Sequence, residues 1–200
     1  MPKGFSAEER ERIREALLEA GEALFSRVGF EKTTVAELAT EAHISKGAFY
    51  LFFASKEDLL MALIGRFEER SRAGMEQTFR NAPTTRDGLR AVVIGQLGQA
   101  KSNPLIRRLL TGDLLRRVWH RSSESSRKQS IRSDEEFLGD LIGRSADLQV
   151  STEVASGMLR ALALLTIHRD TVGDQVYDDV EAALVDAVVN HIIGGGDEAN

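Results

Sequence analysis

Residues 33–56 are TTVAELATEAHISKGAFYLFFASK. The apolar residues of the first half recur at i, i+3, i+4 and i+7, on one face of a helix: Val35, Leu38, Ala39 and Ala42. Three phenylalanines with helical spacing follow in the second half: Phe49, Phe52 and Phe53. Thr34 and Ser45 precede the two patterns as N-caps, where a hydroxyl accepts from a first-turn amide. The stretch predicts two short helices joined by a tight turn at 42–44.

Two helices joined by such a turn form a helix-turn-helix unit, whose second helix can enter a major groove. That helix begins with one cation and two small residues, Lys46, Gly47 and Ala48. The small residues would let its N-terminal end approach base edges. Tyr50 and Lys56 lie outside the phenylalanine stripe and could reach phosphate oxygens. The pattern therefore favours a DNA-binding unit, and a plain helical hairpin in an all-α core is the alternative.

The composition of the whole chain limits the class of protein. Two hundred residues suit one body, or a small domain joined to a larger one. The apolar share of 42% is enough for a core, and no apolar run is long enough to span a bilayer. Residues 1–6 lack the apolar segment of a signal peptide. With no cysteine, disulfides and thiolate sites are excluded, and a cytoplasmic protein is expected.

Net charge is −5, although a DNA-binding module usually carries a basic face. Residues 1–56 hold eight Lys/Arg and nine Asp/Glu, so the predicted DNA-binding region is about neutral. Few cations neutralise few phosphates, which predicts modest non-specific binding and a shallow salt dependence.

Helical patterns fill the rest of the chain. Ser6 and Glu9 form a capping-box pattern before a helix that ends near Val28, and Gly29 follows as a C′ residue. A long helix is expected from Ser55 to about Phe79, and Thr84 or Thr85 caps the next. Basic residues are frequent in 105–132. They are interpreted as the solvent-facing side of amphipathic helices, and a binding surface for an anionic ligand is the less favoured alternative. The serine-rich residues 122–126 are predicted to form a mobile connection.

Residues 13–60 resemble the N-terminal domain of the TetR family of transcriptional regulators. The matching residues are Leu24-Phe25, Gly29-Phe30, Thr33-Thr34-Val35, Leu38-Ala39, Ala42, Ser45-Lys46-Gly47-Ala48-Phe49-Tyr50, Phe53, Ser55-Lys56-Glu57 and Leu59-Leu60. The resemblance implies an all-α protein with a three-helix DNA-binding domain at 1–54. A helical ligand-binding and dimerisation domain at 55–200 would follow it.

The resemblance also assigns roles to residues. Ser45 caps the reading helix, and the positions of Lys46, Gly47 and Ala48 face bases. The positions that hold phosphates are those of Thr33, Thr34, Tyr50 and Lys56. His43 departs from the family, which usually has glycine in the turn. If that position requires φ > 0, histidine is tolerated with strain, and a phosphate contact is its alternative role.

The last helix, from about Val176 to Ile193, is apolar over a face too broad for one neighbour, which predicts a buried subunit contact. In proteins of this kind the last two helices of each subunit form a four-helix bundle across a dimer. The residues predicted at this contact are Met158, Leu162, Leu165, Val180, Leu184, Val188 and Ile192. A two-fold dimer would present two reading helices to a near-palindromic operator.

Chemistry beyond DNA binding has little support in the sequence. Four scattered histidines show no metal-ligand spacing, and nucleotide-binding or nucleophile motifs are absent, so no enzyme, metal site or cofactor is predicted. Six residues could line an effector cavity, although ordinary core packing explains each equally well: Phe67, Arg116, Trp119, Phe137, Met158 and His168. The expected function is a transcriptional regulator, typically a repressor, released from its operator by a small molecule. The alternative is a helical protein-interaction module that does not bind DNA.

Overall fold

A computed structural model of the protein describes residues 5–103, 106, 114–143, 148–165 and 169–194. Every regular element within these ranges is a helix, which confirms the all-α prediction. The helices are α1 (Ala7–Arg27), α2 (Val35–Glu41), α3 (Lys46–Phe49), α4 (Lys56–Arg80), α5 (Thr85–Ser102), α6 (Leu114–Arg121), α7 (Glu124–Ile142), α8 (Thr152–Leu165), α9 (Arg169–Val172) and α10 (Tyr177–Ile193).

The chain forms two compact units. The first comprises Met1–Glu68 and Leu114–Lys128, and the second comprises Glu69–Asp113 and Gln129–Asn200. The predicted DNA-binding domain, residues 1–54, lies within the first unit, which also takes in the start of α4 and all of α6. The domain boundary after residue 54 remains a prediction.

The predicted cap of α1 is confirmed. The Glu9 backbone N–H donates to the Ser6 hydroxyl at 3.1 Å, and the Ser6 N–H donates to the Glu9 carboxylate at 2.8 Å. Two otherwise orphaned amides are thereby satisfied. Gly29 follows α1 with φ 94°, a left-handed conformation that glycine adopts without steric cost.

The first unit packs α1 against α4 around Gly21. This glycine is buried, and a Cβ there would lie 3.0 Å from Leu63 Cδ1 and 3.1 Å from Leu59 Cδ2. Leu17 and Phe25, four residues before and after Gly21 on α1, are fully buried. Close packing of this kind fixes the relative position of the two helices.

The second unit has its own apolar core, built from α5, α7, α8 and α10. Its buried residues are Leu89, Val93, Leu97, Leu138, Ile142, Ala155, Leu162, Val185, Val189 and Ile192. Ion pairs border it, with Arg90 Nε 2.5 Å from Asp186 Oδ1 and Lys101 Nζ 2.6 Å from Glu181 Oε2. These partly exposed pairs contribute modestly, and the buried apolar side chains supply the main stabilisation of this unit.

The connection predicted at residues 122–126 is shorter in the structure, where only Ser122 and Ser123 lie between α6 and α7. Helix α7 begins at Glu124, and the Ser123 hydroxyl accepts from the Ser126 backbone N–H at 3.2 Å as an N-cap. Serine is favoured at this position for that reason. The serines therefore start a helix.

Candidate nucleic-acid interface

The predicted helix-turn-helix is present as α2, a four-residue turn and α3. The turn is closed by backbone bonds from the His43 N–H to the Thr40 carbonyl at 3.0 Å and from the Ile44 N–H to the Ala39 carbonyl at 2.9 Å. His43 has φ 56°, and among the described residues it alone combines a side chain beyond glycine with positive φ. The turn thus has the left-handed geometry for which glycine is the usual choice.

Helix α3 is amphipathic despite its short length. The Ser45 hydroxyl caps it by accepting from the Ala48 N–H at 3.1 Å, as predicted. Phe49 is fully buried and anchors the helix in the core of the first unit. On the opposite side Lys46 and Gly47 are exposed, and Tyr50 is 51% exposed. The residues predicted to approach bases and phosphates therefore lie on the solvent side, and Ala48 is half-buried between the two faces.

Thr34 is exposed at the start of α2, but both of its donors already have an acceptor. The Thr34 backbone N–H and hydroxyl donate to Glu37 Oε2 at 2.7 and 2.8 Å. The backbone bond, and then the hydroxyl bond, hold the pKa of Glu37 below its ordinary value. A phosphate bound at Thr34 would replace the Glu37 carboxylate as acceptor, and this contact remains a prediction.

The predicted phosphate contact of Thr33 does not fit the structure. Thr33 is 1% exposed, and its hydroxyl donates to the Gly29 carbonyl at 2.8 Å. The side chain thus closes the loop between α1 and α2 and does not face solvent.

Lys56 also bonds to this loop. Its ammonium donates to the carbonyls of Phe30, Thr33 and Glu31 at 2.9, 3.1 and 3.4 Å, and it lies 4.4 Å from the centre of the Phe30 ring. Three carbonyls match the three donors of an ammonium. The structure thus gives Lys56 a role in holding the loop before α2, and a phosphate contact would compete with these bonds.

Sequence reasoning missed a cluster around Asp58, which is 5% exposed at the start of α4. Its Oδ1 accepts from the Ser123 N–H at 2.8 Å and from the Ser126 hydroxyl at 2.6 Å, and its Oδ2 accepts from the Ser55 hydroxyl at 2.7 Å. Burial raises the pKa of Asp58, but the hydrogen bonds outweigh it and the net pKa lies below the ordinary value. The only signal in the sequence was the serine-rich run itself.

Four cations of the basic segment are paired with acids, whereas Arg127 donates to the backbone carbonyls of Trp119 and Ser122. Arg117 Nη2 lies 2.5 Å from Glu31 Oε1, and Lys128 Nζ lies 2.6 Å from Glu124 Oε1. Both pairs are largely exposed. They agree with the solvated face favoured above, and Arg107 and Arg108 lie outside the described residues.

The residues predicted to line an effector cavity fall into both units. Phe67, Arg116 and Trp119 belong to the first unit, and Phe137 and Met158 belong to the second. Met158 packs against the core of the second unit, and the Arg72 guanidinium lies 5.0 Å from the centre of the Phe137 ring. His168 lies outside the described residues. The cavity remains a prediction.

The predicted dimer contact needs a correction at two residues. Ile192 and Leu162 are 0% and 4% exposed within the core of their own unit, so they do not fit a surface contact. The physical reason is helical drift. Successive i+4 steps rotate by about 40° around a helix of 3.6 residues per turn, so the stripe that starts at Val180 turns inward by Ile192.

Other residues of this region do reach the surface. Leu184 is 36% exposed on α10, whereas Val180 is half-buried. Val188, Leu165 and Met158 pack partly against the core. Val154 and Leu164 on α8, which sequence reasoning missed, are 50% and 44% exposed. The subunit contact itself remains a prediction.

The described residues lack two features that mark other classes of protein. No group of three histidine, cysteine, aspartate or glutamate side chains within them could hold a metal ion. No helix in the same part of the chain has the length and apolar character needed to cross a membrane.

The fold and this interface define a helix-turn-helix protein of the all-α class. Residues 17–63 match the family model for bacterial regulatory proteins of the tetR family. This match confirms the resemblance of the N-terminal domain to the TetR family.

Relatives and solved structures extend the likeness. The nucleoid occlusion factor SlmA of Actinobacillus pleuropneumoniae is 31% identical over 115 residues, which are 58% of this chain and 55% of SlmA. The chain thus spans about half the length of this curated relative.

Two solved structures share the fold at TM-score 0.66. A TetR-family transcriptional regulator from Pectobacterium atrosepticum is 20% identical, with 96% of this chain and 99% of that chain covered. Thermus thermophilus FadR, a TetR-family repressor in complex with lauroyl-CoA, is 16% identical, with 94% and 98% covered.

Proposed function

We propose that this protein is a ligand-responsive, DNA-binding transcriptional regulator, and specifically a repressor. Two copies of α3 in a homodimer would bind a palindromic operator, and a small molecule would release them. The observation that carries the proposal is the solvent face of α3, where Lys46, Gly47 and Tyr50 are exposed while Phe49 anchors the helix from behind. The match of residues 17–63 to the tetR family model supports it, and its place of action would be the cytoplasm.

The exposed residues suggest how DNA would be bound. Gly47 leaves open space at the tip of α3, since a Cβ there would meet nothing closer than the Ser45 hydroxyl at 3.9 Å. Lys46 and the half-buried Ala48 could then approach base edges, while the Tyr50 hydroxyl and Thr34 bind phosphates. Of the two lysines in residues 33–56, Lys56 is held by carbonyls, so Lys46 supplies the exposed ammonium. Binding should therefore depend weakly on salt.

The spacing of the two half-sites in a palindromic operator calls for a homodimer. Half-sites one duplex turn apart, about 34–36 Å, require two reading helices related by a two-fold axis. Apolar side chains exposed on α8 and α10, among them Leu164 and Leu184, support a subunit contact in the second unit. Pairing would also double the small number of phosphate contacts that one neutral DNA-binding region can make.

Release by an effector requires a small molecule that binds the DNA-free shape of the dimer more tightly than the DNA-bound shape. The Thermus thermophilus neighbour binds lauroyl-CoA, which makes acyl-CoA thioesters a reasonable first set of candidates to test.

The test is selection of duplexes from a random DNA pool by the purified full chain. We expect a near-palindromic consensus with half-sites about one duplex turn apart. Anisotropy with the selected duplex and a scrambled duplex of equal length should then show at least about thousandfold preference for the first. Equal affinity for both duplexes, or no enrichment at all, would contradict the proposal and favour a protein-interaction module.

A further inference from the structure

The solvent face of α3 continues past the end of the helix to Leu51. Helix α3 ends at Phe49, and a turn follows in which the Leu51 N–H donates to the Ala48 carbonyl at 3.0 Å and the Phe53 N–H donates to the Phe49 carbonyl at 3.1 Å. Phe53 is buried beside Phe49, whereas Leu51 is 58% exposed. Of the large apolar side chains in the described residues, that of Leu51 is the most exposed.

The backbone at Leu51 is held from the side of α1. Its carbonyl accepts from Arg10 Nη2 at 3.2 Å, and the same guanidinium lies 5.1 Å from the centre of the Phe52 ring. The Phe52 ring also packs on Phe5, with ring centres 5.9 Å apart. An exposed side chain on a fixed backbone loses little further freedom on binding, which favours a specific contact.

Leu51 lies in the turn that directly follows α3. It lies four residues after Gly47 and directly after Tyr50, the C-cap of α3, and its bond to the Ala48 carbonyl keeps it beside the last turn of the helix. Because Gly47 has no side chain, nothing from that position covers Leu51. A groove that admits the tip of α3 would therefore also meet this isobutyl group.

We propose that Leu51 is a specificity-determining residue that recognises thymine through its C5-methyl group. This inference rests on the proposed function, because it assumes that α3 enters the major groove of DNA. An alkyl side chain gives phosphate and base polar atoms no hydrogen bond, and the thymine methyl is the apolar feature that the major groove presents. The contact would tell thymine from cytosine without any added charge.

The test replaces each thymine of the selected operator by deoxyuridine, which removes only the methyl group. Anisotropy titrations of the full chain should find one position per half-site where the wild-type protein loses about fourfold in affinity, the change expected for one buried methyl. Leu51→Ala should bind the thymine operator more weakly and should be insensitive to deoxyuridine at that same position. Val28→Ala is the matched control, since Val28 is an apolar residue of the first unit, 39% exposed and outside α2 and α3. It should keep the wild-type response.

Two results would overturn the inference while leaving the proposed function intact. One is operator binding with no thymine position sensitive to deoxyuridine. The other is a deoxyuridine effect of equal size in the wild type and in Leu51→Ala. A failure of the full chain to bind any selected duplex would instead overturn both the proposed function and the role of Leu51.

Discussion

The Lys56 ammonium already donates hydrogen bonds to the backbone carbonyls of Phe30 and Thr33, at 2.9 and 3.1 Å. We expect Lys56→Met to lower the free energy of unfolding by about 2 kcal/mol, because hydrogen bonds made by a charged donor are lost while the apolar stem remains. Urea unfolding followed by circular dichroism measures the change. DNA affinity should fall as well, since the loop before α2 loses its support.

Lys32 provides the control for that variant, because it is an exposed lysine of the same loop. Lys32→Met should leave the stability of the chain unchanged within about 0.5 kcal/mol. If Lys56→Met were as stable as Lys32→Met and weakened binding to all DNA sequences equally, Lys56 would be a phosphate contact.

His43 makes a second prediction at the residue scale. Its φ of 56° places a residue with a Cβ in the left-handed region, at a cost of about 1 kcal/mol or more. His43→Gly should therefore raise the free energy of unfolding by about 1 kcal/mol, and His43→Val should lower it because β-branched residues tolerate this region least. Thermal unfolding of both variants checks the sign. A loss of stability in His43→Gly would mean that the imidazole makes a contact worth more than the strain.

At the scale of elements, Asp58 joins the start of α4 to the start of α7. Because hydrogen bonds lower its pKa, its contribution to stability is complete above the ordinary carboxyl range, about pH 4, and is lost as the pH falls through the lower folded-state value. Asp58→Asn should cost about 1–3 kcal/mol at pH 7, since the amide nitrogen cannot accept from a serine. Urea unfolding at several pH values measures this.

The expected signature is a difference between wild type and Asp58→Asn that is constant from pH 7 to about pH 5 and shrinks below about pH 4. A difference that did not change with pH would show that the ionised carboxylate is not what stabilises this junction.

The sequence alone predicted the elements whose determinants are local. Ser6, Thr34 and Ser45 each bond to a residue three positions away, so their caps follow from short patterns. The cluster around Asp58 joins residues 65 and 68 positions apart, and the Lys56 bonds span 23 and 26 positions, separations that no local pattern encodes. The same limit explains why the phosphate role assigned to Lys56 through the resemblance is opposed by its hydrogen bonds. The bond that opposes the role of Thr33 is local, because it reaches the Gly29 carbonyl four positions away.

At the scale of the whole molecule, binding to a palindromic operator requires two copies of the chain. Leu184→Arg should give monomers, because it places a charge on a partly exposed apolar residue of the predicted contact. Sedimentation equilibrium measures the oligomeric state. Operator affinity should fall by at least about tenfold, because the two DNA-binding domains are no longer held together.

Ile94 supplies the matched control, since it is 42% exposed on α5 in the same unit and outside the predicted contact. Ile94→Arg should leave the dimer and its affinity unchanged. A Leu184→Arg protein that still sediments as a dimer would place the subunit contact elsewhere.

The central claim is that the exposed face of α3 binds the operator. It is tested most directly by titrating a labelled operator with the wild-type protein and with the double variant Lys46→Ala/Tyr50→Phe, which keeps the Tyr50 ring against Phe49, 5.5 Å between centres. We predict unchanged thermal stability and a loss of at least about tenfold in affinity, since one cation and one hydroxyl leave the interface. Equal operator affinity in the two proteins would contradict the account.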